Sequence, residues 1–156
     1  MNINFENFRF ITILKIGYKL KFINIYMEIN EIISPYFENG VFTGVRVTVG
    51  DEDFVIAAKD YQDGEEMSWY DAMDALYDDD LTTWNYRQTC FTMAYFEDIN
   101  RVLVDNGGDT LDKCYWTCTE HSGNYSFLYD SKHNLIGYYV NFSTCSVRTI
   151  KNLKTE

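Results

Sequence analysis

The chain has 156 residues, 46% of them apolar and 24% charged, with one proline and nine glycines. That composition suits one globular domain with a single sizeable core and excludes collagen-like, linker-like and disordered classes. A net charge of −11 and the lack of any basic stripe exclude a nucleic-acid backbone as partner.

Charge and composition divide the chain near residue 26. Residues 1–26 carry Arg9, Lys15, Lys19 and Lys21 against Glu6 alone, so they are locally basic within an acidic protein. Two readings stay open for this segment. It is an over-called start, with translation beginning at Met27, or an added edge strand, because Ile16, Tyr18, Leu20 and Phe22 alternate with Lys15, Gly17, Lys19 and Lys21. Charged or polar residues at positions 9, 12, 15, 19 and 21 break any apolar stretch long enough for a signal peptide, and nothing approaches a membrane span. The expectation is a soluble product of cytoplasmic synthesis, with residues 27–156 forming one domain.

Val45, Val47 and Val49 alternate with Arg46 and Thr48, and Gly50 to Asp53 supplies a turn before the apolar run Phe54–Ala58. This predicts a β-hairpin. Residues 60–66 form a polar loop. Ser68 then caps a helix with Asp71 three positions on, and Trp69, Ala72, Met73, Leu76 and Tyr77 fall on one face. Thr83 is the expected cap of a second helix over 84–95. A third places Ile99, Val102 and Leu103 inward and stops at Asn106-Gly107-Gly108.

Strands follow: Cys114–Glu120, Tyr125–Asp130, Leu135–Phe142 and Cys145–Ile150, separated by polar turns. Helices followed by an antiparallel meander predict an α+β fold. Trp69, Trp84, Trp116 and Phe142 are assigned to the core. Cys90, Cys114, Cys118 and Cys145 fit no standard zinc spacing and are expected to be free, small, buried residues. The runs Asp51-Glu52-Asp53 and Asp78-Asp79-Asp80 lack the alternate-position spacing of a calcium loop, so neither a metal nor another cofactor is expected.

The run Gly107-Gly108-Asp109-Thr110-Leu111-Asp112-Lys113-Cys114-Tyr115-Trp116-Thr117-Cys118-Thr119-Glu120 resembles the "GGD…YWSSTE" segment of bacterial C-type-lectin-like domains. Such domains close collagen-like adhesins and form the variable proteins of diversity-generating retroelements. Ser146 to Ile150 is similar to their closing "VR" strand, Met67 to Met73 to their "TWDEA" helix, and Leu81-Thr82-Thr83 stands where "LPT" is usual. The resemblance spans about residues 53–152 and implies a C-type-lectin-like fold with its ligand surface on the C-terminal strands. The proline of "LPT" is absent and Cys118 replaces a serine. Neither the EPN or QPD triplet nor the WND strand of calcium-dependent sugar binders is present.

Residues 121–146 contain four Tyr, five Ser, three Asn and two Gly, and only Asp130 and Lys132 are charged. Rigid tyrosine area with adaptable Ser, Gly and Asn hydrogen bonding is the chemistry of antibody-like binding loops. Strands and turns favour the same residues for purely conformational reasons, and alternation exposes only one face of each strand. The expected ligand-binding residues are His121, Ser122, Asn124, Tyr125, Phe127, Tyr129, His133, Asn134, Tyr138 and Asn141. Glu120 and Arg148 are assigned structural roles, with Arg148 bridging carboxylate or backbone acceptors.

The function expected is a non-enzymatic module that binds a protein or glycan, in a phage or bacterial surface assembly, with homo-oligomerisation as a route to avidity. Two alternatives stand beside it. One is a thiol or metal enzyme related to the formylglycine-generating enzymes, which share the broad fold, with Cys118, Cys145, His121 and His133 as its resources. The other is a structural subunit without a ligand of its own.

Overall fold

The computed structural model describes residues 33–153. The expectations for residues 1–26 and for a start at Met27 lie outside those residues. The described chain is mixed α+β, with three α-helices and antiparallel sheets.

A four-stranded sheet opens the fold. Strand β1 (Ile33–Glu38) turns through Asn39 and Gly40, both at positive φ (53° and 80°), into β2 (Val41–Val49). Two consecutive left-handed residues give the turn whose twist matches a hairpin, and Asn-Gly is the pair that adopts it at least cost. β2 pairs in turn with β3 (Glu52–Ala57). The expected hairpin is therefore present, and β1 is an additional strand on its edge.

A short two-residue strand, β4 (Met67–Ser68), leads into helix α1 (Trp69–Asp78), where the Ser68 side chain accepts the Asp71 amide at 3.1 Å. Trp69, Ala72 and Leu76 are buried, whereas Tyr77, expected on the same face, is 85% exposed. Helix α2 (Tyr86–Ala94) begins later than expected. Its cap is Asn85, which forms a reciprocal capping box with Gln88. Thr83 is buried elsewhere, its hydroxyl donating to the Arg148 carbonyl at 2.7 Å, so it ties strands together rather than starting a helix. Helix α3 (Phe96–Asp105) buries Ile99 and Leu103 and stops where the Gly108 amide donates to the Leu103 carbonyl at 2.7 Å.

The meander is β5 (Cys114–Ser122), β6 (Tyr125–Asp130) and β7 (Leu135–Val140), with β6 in the centre. The closing strand expected over 145–150 is divided. Thr144–Cys145, β8, pairs with β4, and Ile150–Asn152, β9, pairs with β3 at the edge of the first sheet. Between them the chain crosses from one sheet to the other and touches β5 on the way, through a single parallel bridge between Tyr115 and Ser146.

Alternation along the meander serves two cores. Tyr115 and Tyr129 face a core with Val45, Phe54, Trp84, Ile99 and Leu103. Trp116 and Leu128, one residue away in each strand, face a second core with Trp69, Leu76 and Val147. At their junction lies Arg148, 0% exposed. Its Nε donates to Asp60 Oδ1 at 2.8 Å, Nη1 to the carbonyls of Ala57 and Asp109 at 2.9 and 3.0 Å, and Nη2 to the Thr110 carbonyl and Tyr115 hydroxyl at 3.0 and 3.3 Å. All five guanidinium N–H groups are satisfied, which is what makes a buried cation tolerable. Asp60 also accepts from Lys113 at 2.7 Å and from the Tyr115 hydroxyl at 3.0 Å. Burial acts to raise the Asp60 carboxyl, but Lys113, Arg148 and Tyr115 together outweigh it and hold the group below its ordinary value.

Replacing Arg148 with Ala takes its donors from three buried carbonyls and leaves Asp60 with Lys113 and Tyr115 alone, so the expected loss in urea denaturation is about 3–5 kcal/mol. The Asp60 contribution has a definite sign with pH. A depressed carboxyl stabilises fully above its unfolded value, near 3.8, and the stabilisation drains as pH falls through the lower folded value. The urea midpoint of the parent chain is therefore expected to converge on that of Asp60→Asn below about pH 4, with the gap widest at neutral pH.

Candidate functional site

The outward part of the meander carries a continuous strip of aromatic rings. Phe127 on β6 and Tyr138 on β7 are register partners and share a face. His121 on β5 reaches the same face after two irregularities that interrupt β5–β6 pairing on either side of Glu120. Its imidazole stacks on Tyr138 with ring centres 4.1 Å apart and planes 17° apart, and meets Phe127 edge-on at 5.0 Å. Tyr125 meets Tyr138 at 5.9 Å, and Tyr86, the first residue of α2, meets Phe127 at 5.0 Å. Offset and edge-on arrangements of this kind add to the stability of each ring's position.

Tyr86, Tyr125 and Tyr138 are 46%, 42% and 56% exposed, so the strip is fixed from below and open above. Ser122 and Asn124, both exposed, border it at the β5–β6 turn, and the Ser122 hydroxyl lies 3.1 Å from His121 Nδ1. The fold thus brings together six of the ten expected residues: His121, Ser122, Asn124, Tyr125, Phe127 and Tyr138.

The other four are elsewhere. Tyr129 is buried against Trp84, because α2 covers the end of the sheet that Tyr129 occupies, and its hydroxyl donates to Asn134 Oδ1 at 2.6 Å. Burial pushes the Tyr129 phenol well above its usual range. Asn134 donates in turn to the Met93 carbonyl at 3.1 Å, which makes it a tie between turn and helix. His133 is exposed beside Asp130 in the β6–β7 turn, at the opposite end of β6 from Tyr125. Asn141 is buried, its amide nitrogen donating to the Tyr70 hydroxyl at 3.3 Å.

Of the residues given structural roles, Trp69 and Trp116 are buried, with their indole nitrogens donating to the carbonyls of Thr117 and Met67. Glu120 is exposed at the irregular part of β5, and no ion pair or hydrogen bond of its carboxylate occurs among the described residues, so a structural tie there is corrected. Phe142, assigned to the core, is 71% exposed and rests against Tyr70 at 5.9 Å. The reason is that β7 ends at Val140, and the chain turns before Phe142 can reach the interior.

The strip contains one ring that sequence reasoning missed. Tyr86 follows a cap rather than a strand, and no local pattern places it beside Phe127. Elsewhere Tyr70 and Phe142, 42% and 71% exposed, meet each other at 5.9 Å, and Tyr139, 48% exposed, meets Trp116 at 6.5 Å. A separate groove of about 580 Å³ on the first sheet is lined by Tyr36, Glu38, Val55 and Lys151, and the Glu38–Lys151 ion pair lies in its wall.

The four cysteines are free, but only Cys145 is buried; Cys90, Cys114 and Cys118 reach the surface, contrary to expectation. Among the described residues no group of three or more His, Cys, Asp and Glu is placed to hold a metal ion. No helix among them is long and apolar enough to cross a membrane. Comparison with known protein families finds no matching model, and comparison with curated proteins finds no match.

The contrast between Trp116 and Phe142 is measurable. Trp116→Ala is expected to cost about 3–5 kcal/mol in equilibrium unfolding, as for a large core ring. Phe142→Ala, removing a mostly hydrated ring, is expected to change stability by less than about 1 kcal/mol.

Proposed function

We propose that this chain is a non-enzymatic recognition module of C-type-lectin-like fold, which takes a protein or glycan ligand on the strip formed by Tyr86, His121, Tyr125, Phe127 and Tyr138. The observation that carries the reading is the strip itself: five rings in unbroken contact, held by a sheet and a helix, three of its tyrosines about half exposed. Rings already locked by their neighbours lose little freedom when a partner docks. Their upper surfaces can stack on a sugar ring or an apolar side chain, while phenol hydroxyls, Ser122 and Asn124 supply hydrogen bonds at the margin.

Charge favours the same place. None of the five rings belongs to a Lys, Arg, Asp or Glu in a protein of net charge −11, so a partner meets ring surface there rather than carboxylates or ammonium groups. An assembly at a phage or bacterial surface, with several copies adding weak contacts, is a setting in which such a module works.

The enzyme alternative draws less support from the thiols. Full burial pushes Cys145 up to about 12, and partial desolvation raises Cys118 although part of the residue reaches the surface, which disfavours the thiolate that a nucleophile requires. Contacts of Cys118 run to Thr82 and Thr119, and those of His121 to Ser122, Phe127 and Tyr138.

Glycan and protein arrays probed with the full chain identify the ligand class, and titration of any hit tests the surface. Tyr138→Ala and His121→Ala are each expected to weaken binding at least about tenfold, the scale of one aromatic anchor. Phe142→Ala, outside the strip, is expected to leave affinity unchanged. Wild-type affinity in the Tyr138→Ala, His121→Ala double variant would remove the strip as the binding surface.

A further inference from the structure

We propose that Cys114 and Cys145 are a disulfide-forming pair, closed when the folded chain meets a low-molecular-weight disulfide such as oxidised glutathione. The inference stands independently of the ligand-binding reading. The backbone of β5 meets the segment leaving β8 at one place. The Ser146 amide donates to the Cys114 carbonyl at 3.1 Å and the Trp116 amide to the Ser146 carbonyl at 3.0 Å, the pattern of a parallel bridge between Tyr115 and Ser146.

One residue back along both strands stand Cys114 and Cys145. In-register residues of neighbouring strands have Cα atoms about 4.8 Å apart, inside the roughly 4.4–6.8 Å that a disulfide spans. Their side chains also share a side. Cys145 packs in the second core with Trp116 and Val147, and Trp116 is two residues from Cys114, so the period of two returns the Cys114 side chain to that side. Each cysteine is at an end of its strand, Cys114 opening β5 and Cys145 closing β8, where small backbone adjustments disturb little pairing. Electrostatics reports the same neighbourhood: Cys114 acts on the Cys145 thiol, and Glu66 acts on both. Cys118 sits instead with Thr82 and Thr119, and Cys90 is on α2.

Exposure assigns the order of events. Cys114 is exposed and Cys145 is 2% exposed. The Cys114 thiolate attacks one sulfur of the glutathione disulfide, forming a mixed disulfide and releasing one glutathione thiolate. The Cys145 thiolate then attacks the Cys114 sulfur and releases the second glutathione. The two protein thiols lose two electrons and two protons, and the glutathione disulfide gains both as two thiols. Full burial raises the Cys145 thiol, and partial desolvation with the nearby Asp130 carboxylate raises the exposed Cys114 thiol, so exchange is slow at neutral pH and quickens as pH rises. The same property makes each sulfur a poor leaving group, so the bond once closed resists reduction. It ties both ends of the 114–145 segment, which holds the whole meander, and shortens the unfolded chain's freedom accordingly.

The full chain is brought to equilibrium over a long incubation in a glutathione redox buffer at about pH 8.5, where more thiolate forms than at neutral pH. The expected product has lost two hydrogens by intact mass, shows one linked peptide joining Cys114 to Cys145, and melts at a higher temperature than the reduced form. Cys114→Ser, a surface change, is expected to abolish the link while keeping the circular dichroism of the fold. A Cys90→Ser, Cys118→Ser double variant is expected to retain the link. Four titratable thiols at equilibrium, or a link that instead involves Cys90 or Cys118, would overturn the pairing.

Discussion

A buried ion pair holds the two ends of this fold together. Arg148 lies at 0% exposure in the segment that crosses from the meander to the first sheet, and its five donors are distributed over Asp60, three carbonyls and the Tyr115 hydroxyl. Those acceptors come from the end of β3 and the residues just after it, the loop after α3 and the second residue of β5, so a single side chain fixes three chain segments that are distant in sequence. A guanidinium suits this position because its planar fork makes several directional bonds at once, which an ammonium cannot do. The cost of burying the charge is offset only because every donor is met.

The aromatic strip depends on that junction. With β5 anchored through Tyr115, its neighbour Trp116 is turned into the second core, and alternation then governs which rings of the meander can face outward. Helix α2 covers the half of the sheet that holds Tyr129 and leaves open the half that holds Phe127 and Tyr138. One sheet face is thus core at one end and surface at the other. The irregular pairing around Glu120 matters for the same reason, because it re-aims β5 so that His121 comes to stack on Tyr138. A bulge that redirects one side chain is a familiar way for a sheet edge to build a site.

The separation of stability from surface is also visible in the thiols and tryptophans. Trp69, Trp84 and Trp116 each bury the ring and direct the indole nitrogen to an internal oxygen, at 2.9, 2.9 and 2.8 Å. These rings fix the geometry beneath the strip without contributing to its exposed area. Cys145 shares that interior, whereas Cys114, one residue before the bridged Tyr115, reaches solvent, so the crossing segment joins the packed and open sides of the meander.

Local pattern in the sequence determined much of this architecture. The alternating valines of β2, the Ser68 cap of α1, the inward Ile99 and Leu103 of α3 and the three meander strands all follow from periodicity and capping, which act over a few residues. Asn39-Gly40 was an equally local signal for β1, legible in principle though the strand before it holds a proline. The cap of α2 was decided by competition, since Thr83 and Asn85 are both good caps and only the buried partners of Thr83 take it out of the contest. What tertiary structure alone decided was exposure: that Tyr129 and Asn141 turn inward, that Phe142 turns outward, and that Tyr86 joins a strip on another element. A residue's type and period name the face it occupies, but whether that face meets water depends on which distant segment is packed against it, and that information is not local.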